Sequence, residues 1–379
     1  MNMYFYITRV GSCGEATPTS RPYSIAASFS RTKIAHAMAH NEAAWIDSPS
    51  EYPLTVKGAP KPSAGPAEIV IKAAAVSINP VDWKIQIHGR YLSQYPFILG
   101  EDAAGFVEEV GVGVSRFKKG DRVIAHCHGL MTKNPANSAF QTYPVAIDAL
   151  VSPIPDSMTF EQAVVLPLAI STACAGLYLE SHLNLPLPLT DKSEKNGKTV
   201  LIWGGASSVG ATAIQLAAAS GVTVITTASS ANHGFVKSLG ATIALDYKSP
   251  TVVEEIANSL NKNDFIGVYD AIGEDSSFDN ISAILDRLDM AVPVASVLPS
   301  NKNTERFNPV FVVPFDIIQA PNQHIGEWIW EKFIPESLAN GSFKAKPDPF
   351  VTGYGLKDIQ SAIDVQRKGV SAKKIVVTL

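Results

Sequence analysis

Three cysteines in 379 residues, Cys13, Cys127 and Cys174, are too few and too scattered to brace a fold with disulfides, which favours a reducing compartment. Charge is scarce as well: 17% of residues are charged against 46% hydrophobic, and the net charge is −4. No basic stripe invites nucleic acid, and so apolar a chain is a globule, not a disordered segment. A long unbroken apolar run is missing too. The most apolar stretch, residues 163–179, contains Pro167, Ser171 and Thr172 and is too short to span a bilayer, so no membrane partner is expected. Carboxylates are nearly absent from the first forty residues, where Arg9, Arg21, Arg31 and Lys33 stand against Glu15 among many Ser, Thr and Ala. That composition fits a mitochondrial transit peptide, or equally a disordered extension, since no arginine face forms. A cytoplasmic protein is the expectation, with targeting by residues 1–40 as the alternative.

What is present is a phosphate seat. Thr199-Val200-Leu201-Ile202-Trp203 reads as a buried strand, Gly204-Gly205 as a turn, and the Ala-rich run from Ala211 to Ala219 as a helix. Free N–H groups and the positive end of a helix dipole suit a pyrophosphate, and glycine lets it approach the chain. Gly205-Ala206-Ser207-Ser208-Val209-Gly210 fits G-x-G-x-x-G only with Ser207 in the middle slot. Position strengthens the match, because Gly221 ends the helix and the β-branched run 222–227 follows. The alternative is a helix that merely starts with small residues. A nucleophile elbow fits worse, since Val209 stands where it needs glycine.

The end of that second strand bears on the cofactor. An NAD site places a carboxylate there for the ribose 2′-hydroxyl, whereas a 2′-phosphate needs donors. The chain reads Ala228-Ser229-Ser230-Ala231-Asn232-His233, then Lys237, with no carboxylate, which favours NADPH over NADH. Otherwise this is a solvated loop. Tyr247, after a third predicted strand at 242–246, packs along the adenosine phosphate or is a plain strand-end aromatic.

Upstream of Thr199 the apolar runs are short and strand-like, at 68–73, 105–111 and 120–125, with turn residues between them. From Thr199 to about residue 298 strands alternate with helices, and runs at 266–270 and 291–295 continue the sheet. A doubly wound α/β unit is the consequence. The polar segment 191–198 is a connector.

These residues carry a resemblance. Asn79-Pro80-Val81-Asp82, Leu99-Gly100-Glu101-Asp102-Ala103-Ala104-Gly105 and Phe117-Lys118-Lys119-Gly120-Asp121-Arg122-Val123, followed by the nucleotide unit, resemble the medium-chain dehydrogenase/reductase superfamily. Within it the chain looks most like the quinone oxidoreductase branch and its fungal trans-acting enoyl reductases, over about residues 41–379. The resemblance implies an α/β fold with a GroES-like β-barrel catalytic domain at 41–170, completed by about 335–379, and a doubly wound Rossmann NADPH-binding domain at 171–334. Residues 1–40 would be an extension, and the active site would lie between the domains.

Zinc members of that superfamily place a Cys near Asn79, a His where Glu101 stands, a further Cys or Asp, and four cysteines in a structural lobe. This chain lacks them, so no N/S zinc site can be built from these positions and no metal is expected. His126-Cys127-His128 reads as a strand-end trio. Without a Lewis acid, hydride transfer to a polarised C=C is the feasible chemistry, because the β-carbon of an enone, enoyl thioester or quinone is already electrophilic. The protein need only orient it and steady the enolate with donors.

The resemblance points to Lys84 and Thr172 as those donors, with Asn79 beside them and Tyr91 and Ser296 less certain. Lys84 could instead be a surface lysine and Thr172 a helix N-cap. On the cofactor side it implies Val81 and Asp82, then Ala206, Ser207, Ser208 and Val209 at the pyrophosphate. Ser229, Ser230, Ala231, Asn232 and Tyr247 fall at the 2′-phosphate side, and Val376 and Val377 near the nicotinamide. The implied partner is a small-molecule or carrier-bound unsaturated substrate, the latter delivered by a polyketide synthase. An NADPH-binding scaffold without turnover is the other class. Relatives can pair through edge strands, but Pro309, Pro314 and Pro321 interrupt the corresponding stretch, leaving monomer or homodimer open.

Overall fold

The computed structural model describes residues 40–89, 91–191 and 194–379. The expected extension at 1–40 falls almost wholly outside the described residues, as do Lys192 and Ser193 of the connector.

Before the phosphate seat the described chain forms strands β1 (Asn41–Ile46), β2 (Thr55–Ala59), β3 (Glu68–Ser77), β4 (Phe97–Ile98), β5 (Asp102–Val110), β6 (Arg122–His126), β7 (Val145–Ile147) and β8 (Val151–Pro153). Then come β9 (Thr199–Trp203), β10 (Thr223–Thr227), β11 (Ile243–Leu245), β12 (Phe265–Asp270), β13 (Val294–Ser296) and β14 (Pro309–Phe311), and finally β15 (Asp348–Tyr354) and β16 (Lys373–Thr378).

The central strands assemble into a six-stranded parallel sheet in the order β11-β10-β9-β12-β13-β14, a doubly wound arrangement that steps outward from β9 in both directions. Strands buried on both faces need apolar side chains on both. In β9, Val200 and Ile202 enter one core and Leu201 and Trp203 the other, which is why the run reads as continuously apolar. The last strand, β14, is three residues long and begins with Pro309, so the expected interruption shortens this edge without abolishing it.

The flanking strands build a seven-stranded sheet, β15-β16-β3-β5-β6-β8 with β7 also on β3, and a small sheet β2-β1-β4. The chain thus returns to its first sheet after leaving the parallel one: β16 pairs antiparallel with β3 through Val376↔Ser77 and Val377↔Val76. We call the part built on this sheet the first lobe and the parallel sheet with its helices the second.

The apolar stretch 163–179 becomes the helix Pro167–Tyr178, and eleven of its twelve residues are buried. Phe160–Tyr178 is long and apolar enough to cross a bilayer, but 78% of its most apolar window lies inside the fold. The helix is bonded to both lobes. Asp102 of β5 accepts the N–H of Leu168 at 2.6 Å, and Tyr269 of β12 donates to the carbonyl of Thr172 at 2.8 Å. Gly176 lets the Tyr269 ring close in, since a Cβ there would lie 2.3 Å from a ring carbon.

Candidate active site

The phosphate seat forms as a strand, a tight turn and the helix Ser208–Ala219. Gly205 and Gly210 are there for close approach: an added Cβ would meet Thr226 Oγ1 at 2.2 Å and the Gly204 carbonyl at 2.2 Å, respectively. Ser207 takes the middle slot as the helix N-cap, its Oγ accepting from Gly210 N at 3.0 Å. A side chain is tolerated there because it folds back onto the helix. Ala206, Ser207, Ser208 and Val209 remain partly exposed, so a phosphate can reach their backbone at the positive helix end.

At the far end of the seat, Ser229 and Asn232 are partly exposed and Ser230 and Ala231 exposed. Asn232 Nδ2 donates to Ser229 Oγ at 3.1 Å and to Ser371 Oγ, before β16, at 3.0 Å. The expectation of no carboxylate here needs correction. Asp246 accepts from Ser230 N at 3.1 Å and Ser230 Oγ at 2.8 Å. The sequence search followed β10 to its end, but the sheet lays β11 beside β10 and delivers Asp246 from the next strand. The Lys248 N–H and the Ser230 hydroxyl hold its carboxyl below the usual range, so it is ionised. Tyr247 beside it is exposed.

In the first lobe a knot of buried polar groups forms around Asp102, which is fully buried. Its Oδ2 accepts from Ser77 Oγ at 2.5 Å and Asn79 Nδ2 at 2.7 Å, and lies 3.2 Å from Lys374 Nζ. Lys374 also donates to Asn79 Oδ1. Glu101 Oε2 meets His126 Nε2 at 3.1 Å, and the other ring nitrogen meets Ser171 Oγ at 2.9 Å. Phe315 stacks on that imidazole at 4.6 Å and 10°.

Asn79 therefore departs from the donor role given to it. Its amide oxygen and an amide N–H are committed to the Asp102–Lys374 pair and it is 3% exposed, so it anchors the helix Pro80–His88 that starts at the next residue. Asp82 does not face a cofactor either: buried in that helix's first turn, it accepts from Asn79 N at 2.7 Å. Val376 and Val377 are corrected likewise. They sit mid-strand in β16 with side chains in two different cores, both fully buried. Ser296 is buried with its hydroxyl given to the Leu298 carbonyl at 2.8 Å. Val81 is partly exposed and Tyr91 exposed.

Lys84 is partly exposed on the helix Pro80–His88, its ammonium 5.5 Å from the centre of the Trp83 ring. Thr172 lies inside the helix Pro167–Tyr178, so it is not an N-cap; its hydroxyl donates back to the Leu168 carbonyl at 2.7 Å. Its oxygen can accept as it stands, and rotation frees the proton for an incoming oxyanion.

His126 and His128 differ in their partners. His128 is driven down to about pH 4 by burial and then by His126, and its Nδ1 has no partner. Among the described residues no group of three or more His, Cys, Asp or Glu is placed to hold a metal. Glu101, where the resemblance puts a zinc ligand of metal-dependent members, is bonded to His126 instead.

Sequence reasoning missed Lys374, Ser171, Ser371 and the partnership of Glu101 with His126. A strand sends Lys373 outward and Lys374 inward, but nothing local says which lysine is buried.

A dinucleotide seat on a parallel sheet, joined through one helix to a β-rich lobe bearing buried polar groups, defines a nicotinamide-dependent oxidoreductase of two lobes. Two family descriptions match: Alcohol dehydrogenase GroES-like domain over residues 65–156 and Zinc-binding dehydrogenase over 208–320. The chain is 42% identical over 340 residues to trans-enoyl reductase himH of Aspergillus japonicus, covering 89% of this chain and 97% of that protein. It is 34% identical to trans-enoyl reductase tndF of Aspergillus flavipes, covering 86% and 96%. Among solved structures it resembles an alcohol dehydrogenase superfamily protein from Novosphingobium aromaticivorans (26% identity, TM-score 0.69, 89% and 99% covered). The CurK enoyl reductase shares the fold (20%, TM-score 0.68, 89% and 99%). The chain belongs to the medium-chain dehydrogenase/reductase superfamily.

Proposed function

We propose that this protein is an NADPH-dependent, zinc-independent reductase that transfers hydride to an activated C=C, acting in trans on carrier-bound chains of a polyketide synthase. The observation that carries the chemistry is the fate of two consecutive carboxylates, the first of which stands where zinc members of the superfamily place a His. Glu101 and Asp102 are bonded to His126 and Lys374, and Lys84 and Thr172 would serve as the donors, Thr172 once its hydroxyl turns from the Leu168 carbonyl. Such a set suits a substrate whose β-carbon is already electrophilic. Two relatives named trans-enoyl reductase, matched along nearly their whole length, support the enoyl class and the synthase as partner.

NADPH, when bound, supplies the hydride. The pyrophosphate would rest on the backbone of Ala206, Ser207, Ser208 and Val209. Ser229 keeps its hydroxyl proton available for a 2′-phosphate, because its oxygen already accepts from Asn232. Tyr247, exposed two residues past β11, would pack beside the same site. Lys84 and Thr172 would receive the charge that develops on the substrate oxygen as the β-carbon is reduced, and a proton from water completes the α-carbon.

Fluorescence titration with NADPH and NADH, followed by NADPH consumption over a panel of enoyl thioesters, enones and quinones, tests this. Tighter NADPH binding and turnover of an enoyl thioester are expected. Binding without consumption of any panel member would make the protein a cofactor-binding scaffold instead.

A further inference from the structure

We propose that the consecutive carboxylates Glu101 and Asp102 are positioning residues that clamp, from one end of β5, the two helices bearing Lys84 and Thr172. The inference rests on the reductase function above and says how its donors are held.

Asp102 grips both helices directly. Its Oδ1 takes the N–H of Leu168 in the first turn of the helix Pro167–Tyr178, and its Oδ2 takes the amide of Asn79, which precedes the helix Pro80–His88. Glu101 acts one step removed. The His126 ring bridges Glu101 and Ser171, its Nε2 on the Glu101 carboxylate and its Nδ1 on the Ser171 hydroxyl, and so ties the end of β5 to the helix Pro167–Tyr178. Phe315 stacked on the imidazole restrains the ring from turning.

The helix is therefore held one residue and four residues before Thr172. Leu168 is shared: Asp102 takes its N–H while its carbonyl takes the Thr172 proton, so a shift of Asp102 moves the acceptor that aims Thr172. Lys374 stands opposite the buried Asp102 at 3.2 Å and itself reaches Asn79, so the same knot is closed from β16. At the position where metal-dependent relatives hold a zinc ligand, this chain has a mechanical brace on its donors. Bracing matters because a displacement of about 1 Å can cost about 100-fold in rate.

The full chain decides this through a double-mutant cycle. Ser171→Ala and Asp102→Asn are made alone and together with Thr172→Val, with kcat read on a 2-enoyl thioester, NADPH affinity by fluorescence and melting temperature alongside. Each single variant is expected to lose about 10- to 100-fold in kcat with NADPH affinity unchanged. In the Thr172→Val background Ser171→Ala should cost less than about threefold, because the residue it places is gone, whereas Asp102→Asn, which also holds the helix bearing Lys84, should keep part but not all of its loss. Equal losses in both backgrounds, with Thr172→Val itself slow, would overturn the clamp and leave the reductase assignment standing. Full turnover by Ser171→Ala would also overturn it, and full turnover by Thr172→Val would remove the donor and the clamp together. If Asp102→Asn does not fold, Ser171→Ala decides alone.

Discussion

At the scale of single residues, Asp82 carries a carboxyl into the first turn of the helix Pro80–His88, where one of its oxygens finds no partner. Burial pushes its pKa from 3.8 to about 8, against the pull of the Asn79 N–H and with the help of Glu101 and Asp102. The folded pKa lies above the unfolded one, so the folded state holds the proton over that interval. Its contribution to stability is full below about pH 4 and is lost as pH rises through about 8, at no more than about 1.4 kcal/mol per pH unit. Asp82→Asn keeps an acceptor for Asn79 and removes the titration. Urea unfolding between about pH 5 and 8 should show a flatter pH dependence in the variant, and parallel profiles would count against it. Asp246 governs a different quantity. Ionised and holding both donors of Ser230, it sets a negative charge beside the proposed 2′-phosphate seat. Asp246→Asn should raise the ratio of NADPH to NADH affinity severalfold, Ser229→Asp should lower it, and paired titrations compare the two.

At the scale of elements, the junction of β9 with the helix Ser208–Ala219 makes a sharper demand than its composition suggests. A methyl at Gly210 would sit 2.2 Å from the Gly204 carbonyl and 2.8 Å from Gly205 Cα, both backbone atoms that cannot step aside. Gly210→Ala should therefore cost about 1–3 kcal/mol and weaken NADPH binding, while Gly234→Ala, with open space around its Cβ, should be neutral or stabilising by thermal melting. The same junction shows what a sequence can and cannot disclose. Strands β9, β10 and β12 are buried on both faces, so each appears as a dense apolar run, and the glycines between strand and helix are equally visible. Strands β7, β8 and β14 have three residues each, too few for a period to show. The site divided along the same line. Ser207 was visible as an oddity in the glycine pattern, but that its hydroxyl caps the helix depends on a turn in three dimensions. Asp246, Lys374 and Ser371 lie far along the chain from Ser230, Asp102 and Asn232, and only strand order brings each to its partner.

At the scale of the whole molecule, the two lobes are tied by parts that neither could give up. The helix Pro167–Tyr178 is held by Asp102 and His126 on the side of the first sheet and by Tyr269 on the side of the second. The segment before β16 adds a tie at Ser371, which meets Asn232 next to the proposed 2′-phosphate seat, and the same strand carries Lys374 into the knot around Asp102. Unfolding the second lobe would strip this helix of Tyr269 and expose its apolar face, and unfolding the first would leave Leu168 and Ser171 without their partners. Neither half-folded state keeps its buried polar groups satisfied, and each such loss costs about 1–3 kcal/mol. The lobes should therefore melt together in calorimetry. NADPH at about 100 times its dissociation constant should shift that single transition as a whole, stabilising by about 2.7 kcal/mol. Two transitions, of which NADPH moved only one, would show that the shared helix does not couple the lobes and that the nucleotide-binding half folds on its own.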